Sequence, residues 1–238
     1  MRGTLLALGA LGLLAGCSTS AVVDGARTLE PGQKALSFGM SLQRGTTTVS
    51  SGLGIPLPMA ELGLRWGVAP DLDIGMKLYM WGLYTDARYR FARYGAWDLA
   101  IAPGIGGYWL AIPGYQLGTM DLHVPIRGQR DLGQAGRWSW TVEASTILRD
   151  TFGRASSDGF TGDFGQLELF AGGGTRLERW GERGFWGVSF STHAQPWWGR
   201  APAWALGLDF GLRRRVDRAA RQAESPASTN PDTPATNP

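Results

Sequence analysis

Glu61-Leu62-Gly63-Leu64-Arg65-Trp66-Gly67-Val68, then Ala69-Pro70-Asp71, then Leu72-Asp73-Ile74-Gly75-Met76-Lys77-Leu78-Tyr79 is the stretch that decides the fold. A β-strand sends successive side chains to opposite faces. On one face of the first run lie Leu62, Leu64, Trp66 and Val68, and on the other Glu61, Gly63, Arg65 and Gly67. After the tight turn at 69–71, Leu72, Ile74, Met76 and Leu78 alternate with Asp73, Gly75, Lys77 and Tyr79. The stretch is an antiparallel hairpin with one apolar and one charged face.

The same alternation recurs outward in both directions. It runs through Leu83–Phe91, Trp97–Gly106, Thr119–Ile126, Trp138–Ser145, Gln166–Gly172, Trp186–His193 and Trp204–Arg213, with a weaker opening strand at Lys34–Arg44. The total is about ten strands, an even number as bacterial single-chain barrels have. Two features favour a barrel over a soluble sandwich. The polar face mixes glycines with opposite charges, such as Glu61 with Arg65 and Asp73 with Lys77, which suits a narrow lumen. The apolar face puts Trp66, Trp97, Trp138, Trp140, Trp186, Trp204 and Phe210 at strand ends, where amphipathic rings meet a membrane interface. The expected fold is all-β, an antiparallel up-and-down transmembrane β-barrel over 33–215. Outer connections are expected near 45–58, 80–82, 107–115, 149–163 and 194–202, and inner ones at 69–71, 93–96, 127–137 and 177–183; the outer ones are longer on average, with 80–82 and 127–137 as exceptions.

Composition agrees. The chain has 36 glycines and 11 tryptophans in 238 residues, with a formal net charge of +3. Its mean hydropathy is −0.13, and no helical transmembrane run follows the first residues. Scattered arginines and so small a charge exclude a nucleic-acid partner. From Arg218 onward Pro, Ala, Ser, Thr and Asn dominate, so 216–238 reads as a disordered tail, in reach of the cell wall or periplasmic partners.

The chain opens with Arg2, an apolar run from Leu5 to Ala15, and Leu14-Ala15-Gly16-Cys17. The run is too short to span a bilayer and ends in small residues, as an export signal does. Cys17 is the only cysteine, so no internal disulfide explains it. These four residues resemble the lipobox of bacterial lipoproteins. The resemblance implies a signal peptide over 1–16, cleavage before Cys17, acylation of that cysteine with palmitate-type chains, and a linker over 17–32. Ser18 in place of aspartate implies sorting to the outer membrane. The strand pattern and Trp/Gly usage over 33–213 resemble those of Gram-negative outer-membrane β-barrel proteins. The two together imply a barrel with both termini periplasmic, in contact with outer-membrane lipid, its oligomeric state open.

Residues for chemistry are few. The chain has two histidines, His123 and His193. His123 shares a lumen face with Asp121 and neighbours Glu143, a general-base pattern, but is expected toward the periplasmic half. His193 is expected near the outer rim, with Asp150, Asp158 and Asp163 on the preceding loop. The reading expects no metal cluster with recognisable spacing and no cofactor. Gly172-Gly173-Gly174 and Gly104-Ile105-Gly106-Gly107 lack the helix and Lys-Ser/Thr of a phosphate loop. The leading function is therefore a non-enzymatic outer-membrane barrel lipoprotein, structural or a narrow or plugged pore. The alternatives are a barrel hydrolase using His193, His123 or Glu143 on surface lipid or peptide, and a periplasmic lipocalin-like binding lipoprotein.

Overall fold

The computed structural model describes residues 23–44, 57–79, 82–112, 115–133, 138–157, 160–181, 184–195 and 202–212. The strands are β1 (Lys34–Arg44), β2 (Leu57–Ala69), β3 (Leu72–Tyr79), β4 (Gly82–Tyr94), β5 (Trp97–Ile101), β6 (Gly104–Ile112), β7 (Tyr115–Leu132), β8 (Trp138–Ser157), β9 (Phe160–Trp180), β10 (Gly184–Ala194) and β11 (Ala203–Leu212). Strands adjacent in sequence pair antiparallel except β5 and β6, and β1 pairs with β11, from Leu36 opposite Leu212 to Arg44 opposite Trp204, which closes the ring. β5 and β6 both lie between β4 and β7. They are two halves of one staved strand interrupted at Ala102-Pro103, because proline has no N–H for the ladder. The barrel therefore has ten staves and no lateral edge around its waist.

Its burial is inverted relative to a soluble protein. Large apolar side chains cover the outside: Phe38 is 47 % exposed, Ile74 43 %, Leu122 49 % and Phe190 45 %. Charges fill the inside, where Asp73, Arg88, Asp121, Arg149, Arg176 and Asp209 are buried. An apolar exterior around a closed ring of paired strands is what a hydrocarbon solvent demands. The barrel is a transmembrane one. Among the described residues no helix is long and apolar enough to cross a membrane.

Aromatic rings mark two levels. Trp97 packs on Trp140 at 5.8 Å and Trp138 on Trp186 at 5.5 Å, near the mouth where β1 begins. Trp109 packs on Phe152 at 5.8 Å toward the other mouth. We call the first the near mouth and the second the far mouth.

Several expected boundaries move. Residues 107–112 and 149–157 continue strands β6 and β8 rather than forming long connections, and 127–132 and 177–180 continue β7 and β9. The expected charge pairs also change. Residues four apart on a strand are about 13 Å apart, so Glu61 does not pair with Arg65, nor Asp73 with Lys77. Arg65 instead reaches Asp73 at 2.5 Å and Asp86 at 2.7 Å on neighbouring strands, and Lys77 reaches Glu61 at 3.6 Å. Cys17, Trp197, Trp198, Asp158, Arg213 to Arg215 and the tail 216–238 lie outside the described residues.

Candidate functional site

Residues 23–30, read from sequence as part of a linker, run inside the barrel. The chain turns over Glu30-Pro31-Gly32-Gln33, where Gly32 takes φ of 81° and Gln33 N–H donates to Glu30 O at 2.9 Å. The Gly32 amide donates to Gly67 O, and the Gly67 amide to Gln33 O, which ties the turn to the end of β2. Gly67 is required here, because a Cβ on it would stand 1.8 Å from Glu30 O. From this turn at the near mouth the segment rises, read backwards, to Val23 at mid-lumen.

An irregular backbone in a membrane-spanning lumen needs its polar groups met by side chains. The barrel wall supplies them. Leu29 N–H donates to Asp73 at 2.7 Å, and Arg27 N–H to Gln129 Oε1 at 3.0 Å. Arg88 donates to Gly25 O at 2.6 Å and Arg176 to Val23 O at 3.0 Å. Charges join in: Arg27 pairs with Asp98 at 2.8 Å and Asp131 at 2.7 Å, and Asp24 with Lys77 at 3.2 Å. Val23, Ala26 and Leu29 are almost fully buried. Beside the segment remains a cavity of ≈ 60 Å³, bounded by Asp24, Arg65, Lys77, Arg176 and Asp209 among others. That is room for a few waters. Toward the far mouth Met59, Tyr108 and Leu117 form a buried apolar cluster with Tyr79 against it.

Between these two layers lies the second feature, formed by the three weak candidates from sequence. His123 on β7, Glu143 on β8 and His193 on β10 are all buried, and one ligand atom from each lies within 4.8 Å of the others. The two rings are 6.3 Å apart, edge to face. The expected separation of the histidines, one toward each mouth, is thus corrected. β7, β8 and β9 extend well past the end of β10, so the last turn of β10 meets the middle of its neighbours: His193 is opposite Gly172, which is opposite Ser145. Asp150 faces outward on β8 and does not approach His193.

The partners are specific. Ser145 Oγ is 2.9 Å from His193 Nε2, and Tyr84 Oη is 3.4 Å from His123 Nδ1. Arg127 Nε donates to Glu143 at 2.7 Å, and Arg149 donates twice to Asp121, at 2.7 and 2.8 Å. A hydroxyl beside an imidazole is a nucleophile and base in outline. Here it is enclosed between the inserted segment and the apolar cluster, away from surface lipid or peptide. Sequence reading missed Ser145 as a partner, and Arg127, Arg149 and Arg176 as lumen residues. Arg127 and Arg149 fell in expected connections; the alternation put Ser145 on the polar face with Glu143, but nothing in it paired Ser145 with His193.

No protein-family profile and no curated protein matches the chain. Among solved structures it is similar to Neisserial surface protein A, at TM-score 0.37 and 9 % identity over 76 % of this chain and 96 % of that one. It is similar also to the N-terminal β-barrel domain of Pseudomonas aeruginosa OprF, at TM-score 0.28 and 13 % identity over 76 % and 98 %. A third is the attachment invasion locus protein Ail of Yersinia pestis, at TM-score 0.29 and 14 % identity over 77 % and 99 %.

Proposed function

We propose that the chain is an outer-membrane lipoprotein, acylated on Cys17, whose barrel is a closed, non-enzymatic body rather than an open channel. The observation that carries the closed state is the inserted segment: Val23 to Glu30 occupies the near half of the lumen, held by Asp73, Arg88, Arg176 and Gln129. The apolar cluster of Met59, Tyr108 and Leu117 fills the lumen further on. Ten staves enclose little space to begin with, and paired charges take most of it. The outer membrane is supported by the apolar exterior together with the export signal and lipobox resemblance at 14–17.

Planar-bilayer recording of the purified mature protein tests the closed state. The expected trace is flat at the baseline; steady single-channel steps from the wild-type protein would contradict it. Labelling of cells with radioactive palmitate tests the anchor. Label should appear on the wild-type chain and vanish from Cys17→Ala, and label retained on Cys17→Ala would remove Cys17 as the acylated residue.

A further inference from the structure

We propose that His123, Glu143 and His193 form a binding site for a first-row divalent transition metal of the zinc class. Both histidines of a 238-residue chain converge on one point in the lumen, from strands 70 residues apart, with a buried carboxylate between them. Two imidazoles and one carboxylate are a donor set for such ions.

The geometry is close to what an ion requires. Donors at zinc-ligand bond lengths in a tetrahedron stand about 3.3 Å from each other. Here the three atoms lie within 4.8 Å of one another, a gap that small side-chain rotations close. His123 is 2 % exposed and its Nε2 is buried without a hydrogen-bond partner among the described residues. A buried polar atom left unpaired carries a desolvation cost that a bound ion removes. The other ring nitrogen faces the Tyr84 hydroxyl at 3.4 Å, which orients the ring as outer partners of metal-bound histidines do. His193 Nε2 meets the Ser145 hydroxyl at 2.9 Å, a neutral rotor that yields to a cation.

Two arginines are near, and neither blocks the ion. Arg127 takes Oε2 of Glu143. A carboxylate has about four acceptor positions, so it keeps that bond while it ligates. Arg149 is neutralised by its paired bonds to Asp121. A bound ion would cross-link β7, β8 and β10 through the lumen, on the far-mouth side of Val23. It goes beyond the closed-barrel reading and does not depend on it, since an open lumen holds the same three donors.

The test is cobalt(II) titration of the full chain in detergent, free of any histidine tag and first stripped by chelator. It is run on the folded protein and again with cobalt present during refolding. The expected result is the visible absorption of imidazole-bound cobalt, saturating at one equivalent and displaced by zinc. His123→Ala and His193→Ala should each weaken binding by at least about tenfold, while their heat-modifiable gel migration is retained. Absence of one-to-one binding in the wild type overturns the proposal, whatever the variants do. So does binding that survives in the His123→Ala/His193→Ala double variant. Should the variants fail to fold, protection of the wild-type histidines by zinc against diethyl pyrocarbonate decides in their place: unprotected histidines at saturating zinc count against the site.

Discussion

Asp73 accepts hydrogen bonds from three places in the chain: Arg65 on β2, Arg88 on β4 and the Leu29 amide of the inserted segment. It is fully buried. Removing one partner from a buried charged network leaves the others uncompensated, at about 3–5 kcal/mol. Asp73→Ala should therefore lower unfolding stability by that order, read from denaturant titration of tryptophan fluorescence in detergent. A loss below about 1 kcal/mol, the range of exposed pairs, would show that lumen water shields these groups. Gly67 supports a second expectation at this scale. A side chain there meets Glu30 O, so Gly67→Val should displace the turn and loosen the segment while the barrel persists. Conductance steps absent from the wild type should appear in this variant; a silent variant would mean either that the segment is held without its turn or that the Met59–Tyr108–Leu117 cluster closes the lumen by itself.

At the scale of elements, β9 pairs with β10 only from Ala171 to Trp180, whereas it pairs with β8 from Phe160 to Arg179. Residues 160–170 thus have a partner on one side only among the described residues, and such an edge opens locally with less energy than a strand paired on both sides. Amides of 160–170 should exchange about tenfold or more faster than those of 171–180 in hydrogen-exchange mass spectrometry. Equal protection would mean that the edge is covered. This overhang is also where the sequence was hardest to read. Up to Ser145 the alternation is regular, but then Ile147 faces the lumen while Thr146 and Asp150 face out, so the apolar-out pattern breaks although the strand continues. Past Ile126, β7 carries Arg127 and Gln129 inward and Arg130 outward, which leaves no apolar face to follow. The hairpin at 61–79 was legible because each of its faces is of one kind. The His123–Glu143–His193 cluster was visible as residue types but not as a site, since it depends on the stagger between strands, which no spacing along one strand reports.

For the whole molecule, alternation in sequence gave the closed ring and its inverted burial, while the inserted segment was hidden because Val23 to Glu30 has no period to read. That the body is itself a membrane-spanning barrel does not depend on an anchor at Cys17. It is tested by residues 17–238 carrying Cys17→Ala, refolded and examined for solubility and for gel mobility with and without heating. A membrane-spanning barrel will need detergent and shift its mobility on heating; a protein soluble without detergent, with the same mobility in both lanes, would rule the barrel out.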